Sequence, residues 1–446
     1  MNKITIIGAG LSGTLLAIML QQKGYTVEVY ERRPDMRQVN ITAGRSINLA
    51  LSERGLRALQ KAGIGTPILQ EAVPMYGRHI HLAEGGEQFQ PYSGRKDECI
   101  YSISRGGLNI ALMNKLEAIG GCIHFNQKCM GMDYQEQAVT FQDTKKNKTY
   151  TISTEAVIGT DGASSAIRKQ MMQQAPRLRF SFSQTYLGHG YKELHIPPKT
   201  NGGFALDKNA LHIWPRGGFM LIALPNKDGS FTVTLFHPFE GEEGLHALED
   251  TGKAKTFFER EFPDALALMP TFEQDWVNNP NSSLATIKCY PWQVEGKSLL
   301  LGDAAHAIVP FYGQGMNCSF EDCLVFLESL DKYKGNWEAI FEDYQQNRKK
   351  DTDAIADLAE ENFYEMRDQV ANPTFILKRK LETLLEQKYP EYYSKYSLVT
   401  FNPNIPYSEA MRKGRAQDQW LLEYCETIEN TENIDWSYLL KQLQIL

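Results

Sequence analysis

The chain has 446 residues, enough for two or three domains, and carries a net charge of -7 from 47 basic and 54 acidic side chains. It has no concentrated basic segment, which argues against nucleic acid or an anionic membrane as a partner. It has seven cysteines but no CxxC pair, signal-like N-terminus or run of about 18 apolar residues, which predicts a reduced, soluble, cytoplasmic protein. The oligomeric state stays open between monomer and dimer.

The first 31 residues have the pattern of a strand–turn–helix–strand unit that binds a dinucleotide. A short apolar run ends at Gly8, a helical pattern follows, and "YTVEVY" is typical of a second strand. Gly8, Gly10 and Gly13 suit a tight turn, a close approach of backbone to a pyrophosphate, and close helix-to-strand packing. Glu31, at the end of the second strand, can hydrogen-bond ribose hydroxyls. The pattern predicts nucleotide binding but does not separate NAD from FAD.

The middle of the chain changes from helical to alternating patterns. Residues 76–98 read as two strands around the Gly85–Gly86 turn, and residues 176–275 are rich in strands. We therefore predict the α/β class, with a Rossmann-like cofactor-binding domain, an inserted antiparallel β-sheet substrate domain and a C-terminal helical region. The predicted boundaries are 1–75, 99–175 and 276–330 for the first, 76–98 and 176–275 for the second, and 331–446 for the third.

Two later glycine motifs suggest how one cofactor could use distant parts of the chain. "AVIGTDGASSAIRK" runs from a strand into Asp161, and "SLLLGDAAHAIVPFYGQGMN" contains Asp303 and a helix start at Gly315, Met316 and Asn317. A carboxylate suits a polyol hydroxyl, and the free N–H groups of a helix start suit a developing negative charge. A single FAD would explain both ends, with its adenosine at the N-terminal motif and its ring over the late helix.

The three motifs, in this order, resemble the class A flavoprotein aromatic monooxygenases. Long segments, among them "YSISRGGLN", "HIWPRGGFMLIALPN", "PFYGQGMNCSFEDC" and "NFYEMR", are similar to the members that hydroxylate kynurenine. The resemblance implies one bound FAD, NADPH as a transient co-substrate, and ring hydroxylation by O2 through a C4a-hydroperoxide of the flavin. One departure is that eukaryotic members carry a C-terminal membrane anchor, whereas this chain reaches Leu446 without an apolar span, which predicts a soluble, bacterial-type enzyme. A class A enzyme that acts on another aromatic acid remains the alternative.

The resemblance also implies a site for the amino-acid carboxylate of kynurenine. Arg78 and Tyr92 would hold it, joined by Asn362 and Tyr396 from the helical tail. The chemistry agrees, because a guanidinium forks onto a carboxylate with two parallel hydrogen bonds, and tyrosine and asparagine complete its acceptor sites.

The apolar part of the substrate site follows from alternation along a hairpin. Ile222 and Leu224 share one strand face, as do Thr234 and Phe236 on the next strand. On the pattern alone, this face could equally pack the core of the second domain. The resemblance favours a pocket around the aniline ring, with Leu211 and Phe311 added.

No protein side chain is predicted to be catalytic, and no metal site is predicted. His306 is better explained as a loop or packing histidine than as a proton donor, and His79 and His81 lack further ligands nearby in the sequence. Arg45 and Glu53 receive no role. The full set of predicted cofactor contacts is Gly8, Gly10, Leu11, Ser12, Gly13, Glu31, Arg32, Arg33, Ala50, Arg105, Met130, Asp161, Asp303, Gly315, Met316 and Asn317.

Overall fold

The computed structural model describes residues 3–38, 48–173, 175–200, 202–369, 372–432 and 434–446. The strands are β1 Lys3–Ile7, β2 Thr26–Glu31, β3 Asn48–Leu51, β4 Val73–Met75, β5 Gly77–His81, β6 Glu87–Pro91, β7 Ile100–Ser104, β8 Cys122–Phe125, β9 Gln127–Asp133, β10 Ala138–Asp143, β11 Lys148–Ser153, β12 Ala156–Gly159, β13 Ser181–Ile196, β14 Ala210–Pro215, β15 Met220–Pro225, β16 Phe231–Pro238, β17 Ser282–Tyr290, β18 Gln293–Val294 and β19 Ser298–Leu300. The α-helices are α1 Leu11–Gln22, α2 Glu53–Lys61, α3 Gly65–Gln70, α4 Arg105–Ala118, α5 Ala166–Gln173, α6 Ala175–Leu178, α7 Thr251–Glu261, α8 Pro263–Leu266, α9 Phe272–Asn278, α10 Asp303–His306, α11 Gly315–Tyr333, α12 Trp337–Tyr364, α13 Pro373–Lys388, α14 Lys395–Thr400, α15 Tyr407–Cys425 and α16 Trp436–Gln444.

The first sheet has the order β18-β19-β12-β1-β2-β8 and is parallel except at β18. β1 is buried on both faces, with Ile4 and Ile6 fully buried on one face and Thr5 fully buried on the other, as expected of a parallel strand covered on both sides. Helix α1 begins at Leu11, directly after the Gly8 turn. The first sheet therefore brings the ends of β1, β2, β12 and β19 to one edge.

The second sheet has the order β17-β13-β16-β15-β14-β5-β6 and two distinct faces. One face packs under α7 to α9, with Trp214, Leu221 and Val233 in that core. Residues of the opposite face, such as Ile222 and Phe236, belong to a different cluster that includes α12. The strand β17 pairs with β13, so part of the predicted piece 276–330 extends the second sheet.

The C-terminal region packs against α2. Arg54 of α2 is fully buried, and its guanidinium donates to the backbone oxygens of Val399 (2.7 Å) and Ile405 (2.6 Å). This contact fixes α14, which carries Tyr396, against the cofactor-binding part of the molecule. Two three-stranded sheets complete the fold, β11-β10-β9 and β3-β7-β4.

The predicted fold class is confirmed by a parallel sheet with helices, antiparallel sheets and a helical C-terminal region. Among the described residues, no helix has the length and apolar character needed to cross a membrane.

Candidate active site

One cavity of about 940 Å³ is lined by residues of both large sheets and of the C-terminal region. Ligand pockets usually enclose about 300–1,000 Å³, so this one lies near the upper limit. Its lining includes Gly8 and Glu31 of the N-terminal motif, Asp303 of the late glycine motif, and Arg78 and Tyr396 of the predicted substrate site. The cavity can therefore hold one long ligand and a second small one.

The nucleotide end of the cavity is shaped by glycines that tolerate no side chain. Gly8 has a φ of +104°, and a Cβ placed there would lie 2.7 Å from the oxygen of Thr160. A Cβ on Gly13 would lie 2.2 Å from the oxygen of Gly8. Gly13 does not line the cavity; its small size lets α1 pack against the turn that does.

Glu31 ends β2 at this edge, as predicted. Its carboxylate is buried and accepts from the backbone N–H of Ala9 (3.0 Å) and from Nε of Arg33 (2.8 Å). Burial alone would raise the pKa of Glu31, but the Arg33 guanidinium and the backbone donors outweigh it and lower the pKa. Glu31 is therefore ionised at neutral pH, as a carboxylate that binds ribose hydroxyls must be.

A buried cluster of charged and polar side chains around Asp322 holds the loop that carries Asp303. Asp322 is fully buried and accepts from Nε2 of His306 (2.6 Å), from Nε of Arg348 (2.8 Å) and from the backbone N–H of Gly302 (3.2 Å). Burial would raise the pKa of Asp322, yet His306 and Arg348 lower it. His306 is itself buried and does not line the cavity, which agrees with a packing role.

Asn317 fixes the position of the start of α11, and its own side chain does not face the cavity. The Asn317 amide donates to the oxygens of Ala50 and Gly313 (2.8 Å each), and its oxygen accepts from the backbone N–H of Ser52 (2.9 Å). Asn317 is fully buried and does not line the cavity, whereas Gly315 and Met316 do. The side chain thus links the helix start to β3.

The opposite end of the cavity combines a cation with two aromatic rings. The Tyr92 and Tyr396 rings stack with centroids 5.2 Å apart, and the Arg78 guanidinium carbon lies 5.6 Å and 5.4 Å from their respective centroids. Arg78 is 6% exposed, and both its Nε and the Tyr92 hydroxyl are buried without a hydrogen-bond partner. Buried donors normally have partners, so these atoms indicate a ligand with acceptor oxygens.

The wall between these ends is apolar and belongs to one face of the second sheet. Ile222 pairs with Thr234, and Met220 pairs with Phe236, so all four share that face. Phe236 packs against Phe311, with ring centroids 4.9 Å apart. The face therefore lines the cavity and also packs against α12, and its role around a substrate ring stays a prediction.

Asn362 lies in α12 close to this wall but does not line the cavity. Its amide donates to the backbone oxygen of Phe311 (2.6 Å) and contacts the sulfur of Met366 (3.3 Å). In this structure it holds the Phe311 segment, and a direct contact with substrate stays a prediction.

His79 has acidic neighbours that its local sequence did not reveal. Its Nδ1 lies 3.4 Å from a carboxylate oxygen of Glu87, and its Nε2 lies 3.3 Å from one of Asp207.

The cavity brings together all but three of the predicted site residues. Those that line it are Gly8, Gly10, Leu11, Ser12, Glu31, Arg32, Arg33, Ala50, Arg78, Tyr92, Arg105, Met130, Asp161, Leu211, Ile222, Leu224, Phe236, Asp303, Phe311, Gly315, Met316 and Tyr396. Gly13, Asn317 and Asn362 lie behind the lining, and Arg45 lies outside the described residues.

Sequence reasoning missed several lining residues. Met220 could have been found, because it alternates with Ile222 along β15. Tyr312 ends a short 3-10 helix and Met366 lies in a π-helical turn after α12, and neither belongs to an alternating or helical pattern that would place it in the cavity. Lys128 and Lys169 also line the cavity and add positive charge.

The lining fits FAD. The Gly8 turn, which has no room for a Cβ, lets backbone line the cavity. Glu31 and Asp303 offer separate carboxylates for hydroxyl groups, and cationic side chains suit a pyrophosphate. All of these belong to one cavity, as a single long cofactor requires.

Comparison with known proteins agrees with this fit. The model of the FAD binding domain family matches residues 1–359. Among solved structures, 2-methyl-3-hydroxypyridine-5-carboxylic acid oxygenase has a TM-score of 0.69 at 18% identity and covers 86% of this chain and 97% of its own. Pseudomonas aeruginosa PqsL, solved with 2-aminobenzoylacetate, has a TM-score of 0.66 at 16% identity and covers 82% and 97%. These structures share the fold.

Relatives of much higher identity extend over nearly the whole chain. A kynurenine 3-monooxygenase of Myxococcus xanthus is 46% identical over 436 residues, 97% of this chain and 93% of its own. That of Flavobacterium psychrophilum is 46% identical over 434 residues, 97% and 95%. That of Dictyostelium discoideum is 46% identical over 452 residues, 98% and 96%. The chain therefore belongs to the kynurenine 3-monooxygenase family of proteins with an FAD binding domain.

Proposed function

We propose that this protein hydroxylates L-kynurenine to 3-hydroxykynurenine, using bound FAD, NADPH as co-substrate and O2. The proposal rests on two buried polar atoms without hydrogen-bond partners, the Nε of Arg78 and the hydroxyl of Tyr92. Both residues line the same cavity as Gly8 and Asp303. A carboxylate at that end would place the rest of an aromatic amino acid along the apolar wall, toward the cofactor-binding part.

FAD would be held along the nucleotide end and the Asp303 loop. The Gly8 turn and the N-terminus of α1 would receive the pyrophosphate, Glu31 a ribose, and Asp303 the ribityl chain. When bound, FAD supplies hydride acceptance from NADPH and the activation of O2. Backbone N–H groups at Gly315 and Met316 would face negative charge that develops beside the start of α11.

The protein's own part in the reaction is to bind and orient the substrate and to exclude water from the site. Arg78 and Tyr92 would fix the carboxylate, and the stacked Tyr396 would close that end. Phe236 and Phe311 would hold the ring and exclude water, which would otherwise divert oxygen to peroxide. The aniline nitrogen activates its own ortho carbon, so the reaction does not require a strong protein base.

The test is aerobic incubation with NADPH and L-kynurenine under ¹⁸O2, followed by mass spectrometry. We expect one labelled oxygen atom on the aromatic ring of the product. NADPH consumption that yields only labelled peroxide would mean that kynurenine is an uncoupling ligand, and would favour a different aromatic acid as substrate.

We also propose a cytoplasmic location and a monomer or dimer. All seven cysteines are free, which supports a reducing compartment. Size-exclusion chromatography with light scattering would measure the oligomeric state.

A further inference from the structure

Thr234 is a polar residue in the wall where an aromatic ring would lie. It is 1% exposed and lines the cavity, and its hydroxyl has no hydrogen-bond partner. Among the described cavity residues, buried polar atoms without partners also occur at Arg78, Tyr92 and Asp161. The first two belong to the carboxylate end and the third to the nucleotide end, so Thr234 is unaccounted for.

The sheet register fixes the surroundings of this hydroxyl. Thr234 pairs with Ile222 on β15 and with Glu193 on β13, and Phe236 follows it on the same face. Directly opposed residues in antiparallel strands have Cβ atoms about 4.5–5.5 Å apart. Phe236 in turn packs against Phe311. Thr234 therefore places one hydroxyl between an apolar wall and a carboxylate.

Glu193 places a carboxylate beside Thr234 in the sheet, just outside the cavity lining. It is half-buried and on the same face as Thr234. Burial raises the pKa of Glu193 to about 6, and Arg105, which lines the cavity, acts in the opposite direction. A carboxylate beside Thr234 favours a ligand group that donates a hydrogen bond over one that accepts.

We propose that the Thr234 hydroxyl accepts a hydrogen bond from the aniline amino group of the substrate. The inference rests on the proposed function and makes it more specific. Arg78 receives the carboxylate at one end, and Thr234 recognises the amine at the other, so the cavity selects an aromatic acid that carries an amino donor. Thr234 is thus a specificity-determining residue, because its hydroxyl lacks a protein partner and would accept its hydrogen bond from the ligand.

The experiment compares two ligands on FAD-loaded protein by calorimetry. One is L-kynurenine, and the other is 2-amino-4-oxo-4-phenylbutanoic acid, which lacks only the aniline amino group. The wild-type protein should bind kynurenine about 3- to 10-fold more tightly, as expected for one net hydrogen bond. In Thr234→Val, which keeps the side-chain shape, the ratio should fall to near 1, and Thr234→Ser should keep the preference.

Ile222→Val is the matched control, because it trims the same wall without removing a polar group. It should weaken both ligands equally and leave their ratio unchanged. An unchanged ratio in Thr234→Val would overturn the inference, and Thr234→Ala provides the same comparison if the valine variant does not retain FAD.

The two proposals fail in different ways. If the wild-type protein gives no labelled 3-hydroxykynurenine, the proposed function is wrong. If the wild-type protein gives labelled 3-hydroxykynurenine but Thr234→Val still discriminates between the ligands, only the role of Thr234 is wrong.

Discussion

The nucleotide end and the substrate end of the cavity are built in different ways. Gly8 and Glu31 come from one segment of some 30 residues, and Glu31 has its hydrogen bonds satisfied within the protein. Arg78, Tyr92 and Tyr396 come from distant parts of the chain, and donors there remain unpaired. The carboxylate of Glu31 is therefore held by protein donors before a ligand binds, although one oxygen of Asp161 at the same end has no partner. At the second end, both the Arg78 Nε and the Tyr92 hydroxyl lack protein partners.

This difference implies that changes at the substrate end should alter ligand binding more than folding. An unpaired buried donor costs stability, while its ligand-bound form does not. At the nucleotide end, by contrast, the same side chains also support the local fold. The predictions below separate the two ends, in order of expected effect.

Arg78→Ala should weaken kynurenine binding by about 2–5 kcal/mol, roughly 30-fold to several thousand-fold, because it leaves a buried carboxylate unpaired. FAD content should not change. Calorimetry with kynurenine measures the effect, and Arg57→Ala, at an exposed arginine, is the control. An unchanged dissociation constant would contradict the assignment of the carboxylate end.

Acid should destabilise the second sheet through His212, on the face away from the cavity. Burial lowers the pKa of His212 to about 4. The unfolded chain takes up this proton near pH 6.5, whereas the folded protein resists until about pH 4, so stability falls as the pH is lowered through this window. The loss should reach about 3 kcal/mol and be absent above pH 6.5.

Urea unfolding between pH 4 and 7 measures this slope. His212→Gln should flatten it, and His246→Gln, at an exposed histidine, should not. Equal slopes in the wild type and His212→Gln would show that other groups dominate the acid response.

Asp303→Ala should weaken FAD binding by about 1.5–3 kcal/mol, which corresponds to the loss of hydrogen bonds from hydroxyl groups to a charged group. The purified protein should be colourless or only weakly yellow. The ratio of absorbance at 450 nm to that at 280 nm gives the FAD content, with Asp250→Ala, which removes the cap of α7 outside the cavity lining, as a control for general loss of stability. Retention of stoichiometric FAD would remove the role assigned to this loop.

Tyr92→Phe should have opposite effects on folding and binding. Removal of an unpaired buried hydroxyl should leave the melting temperature unchanged or higher, while kynurenine binding should weaken by about 1.5 kcal/mol. Thermal unfolding and calorimetry on the same samples measure both. A lower melting temperature with unchanged binding would mean that the hydroxyl serves the fold and not the ligand.

Local patterns in the sequence predicted the nucleotide end because its chemistry is encoded within short segments. Gly8 needs a positive φ and Gly13 needs close packing, and both needs can be read from residue type and spacing. The resemblance to a family supplied Arg78, Tyr92 and Tyr396. Without it, nothing near these residues in the chain would have indicated that they meet.

The tertiary structure alone decided which side chains face the cavity and which stand behind it. Asn317 and Asn362 use their amides on backbone oxygens, so they hold loops in place instead of lining the cavity. Thr234 was one of several alternating residues until the register placed it beside Glu193 with an unpaired hydroxyl. The sequence by itself determined the fold class and the cofactor motifs, because both depend on local spacing. The substrate end depends on contacts between residues as far apart as Arg78 and Tyr396, and only the folded chain brings these together.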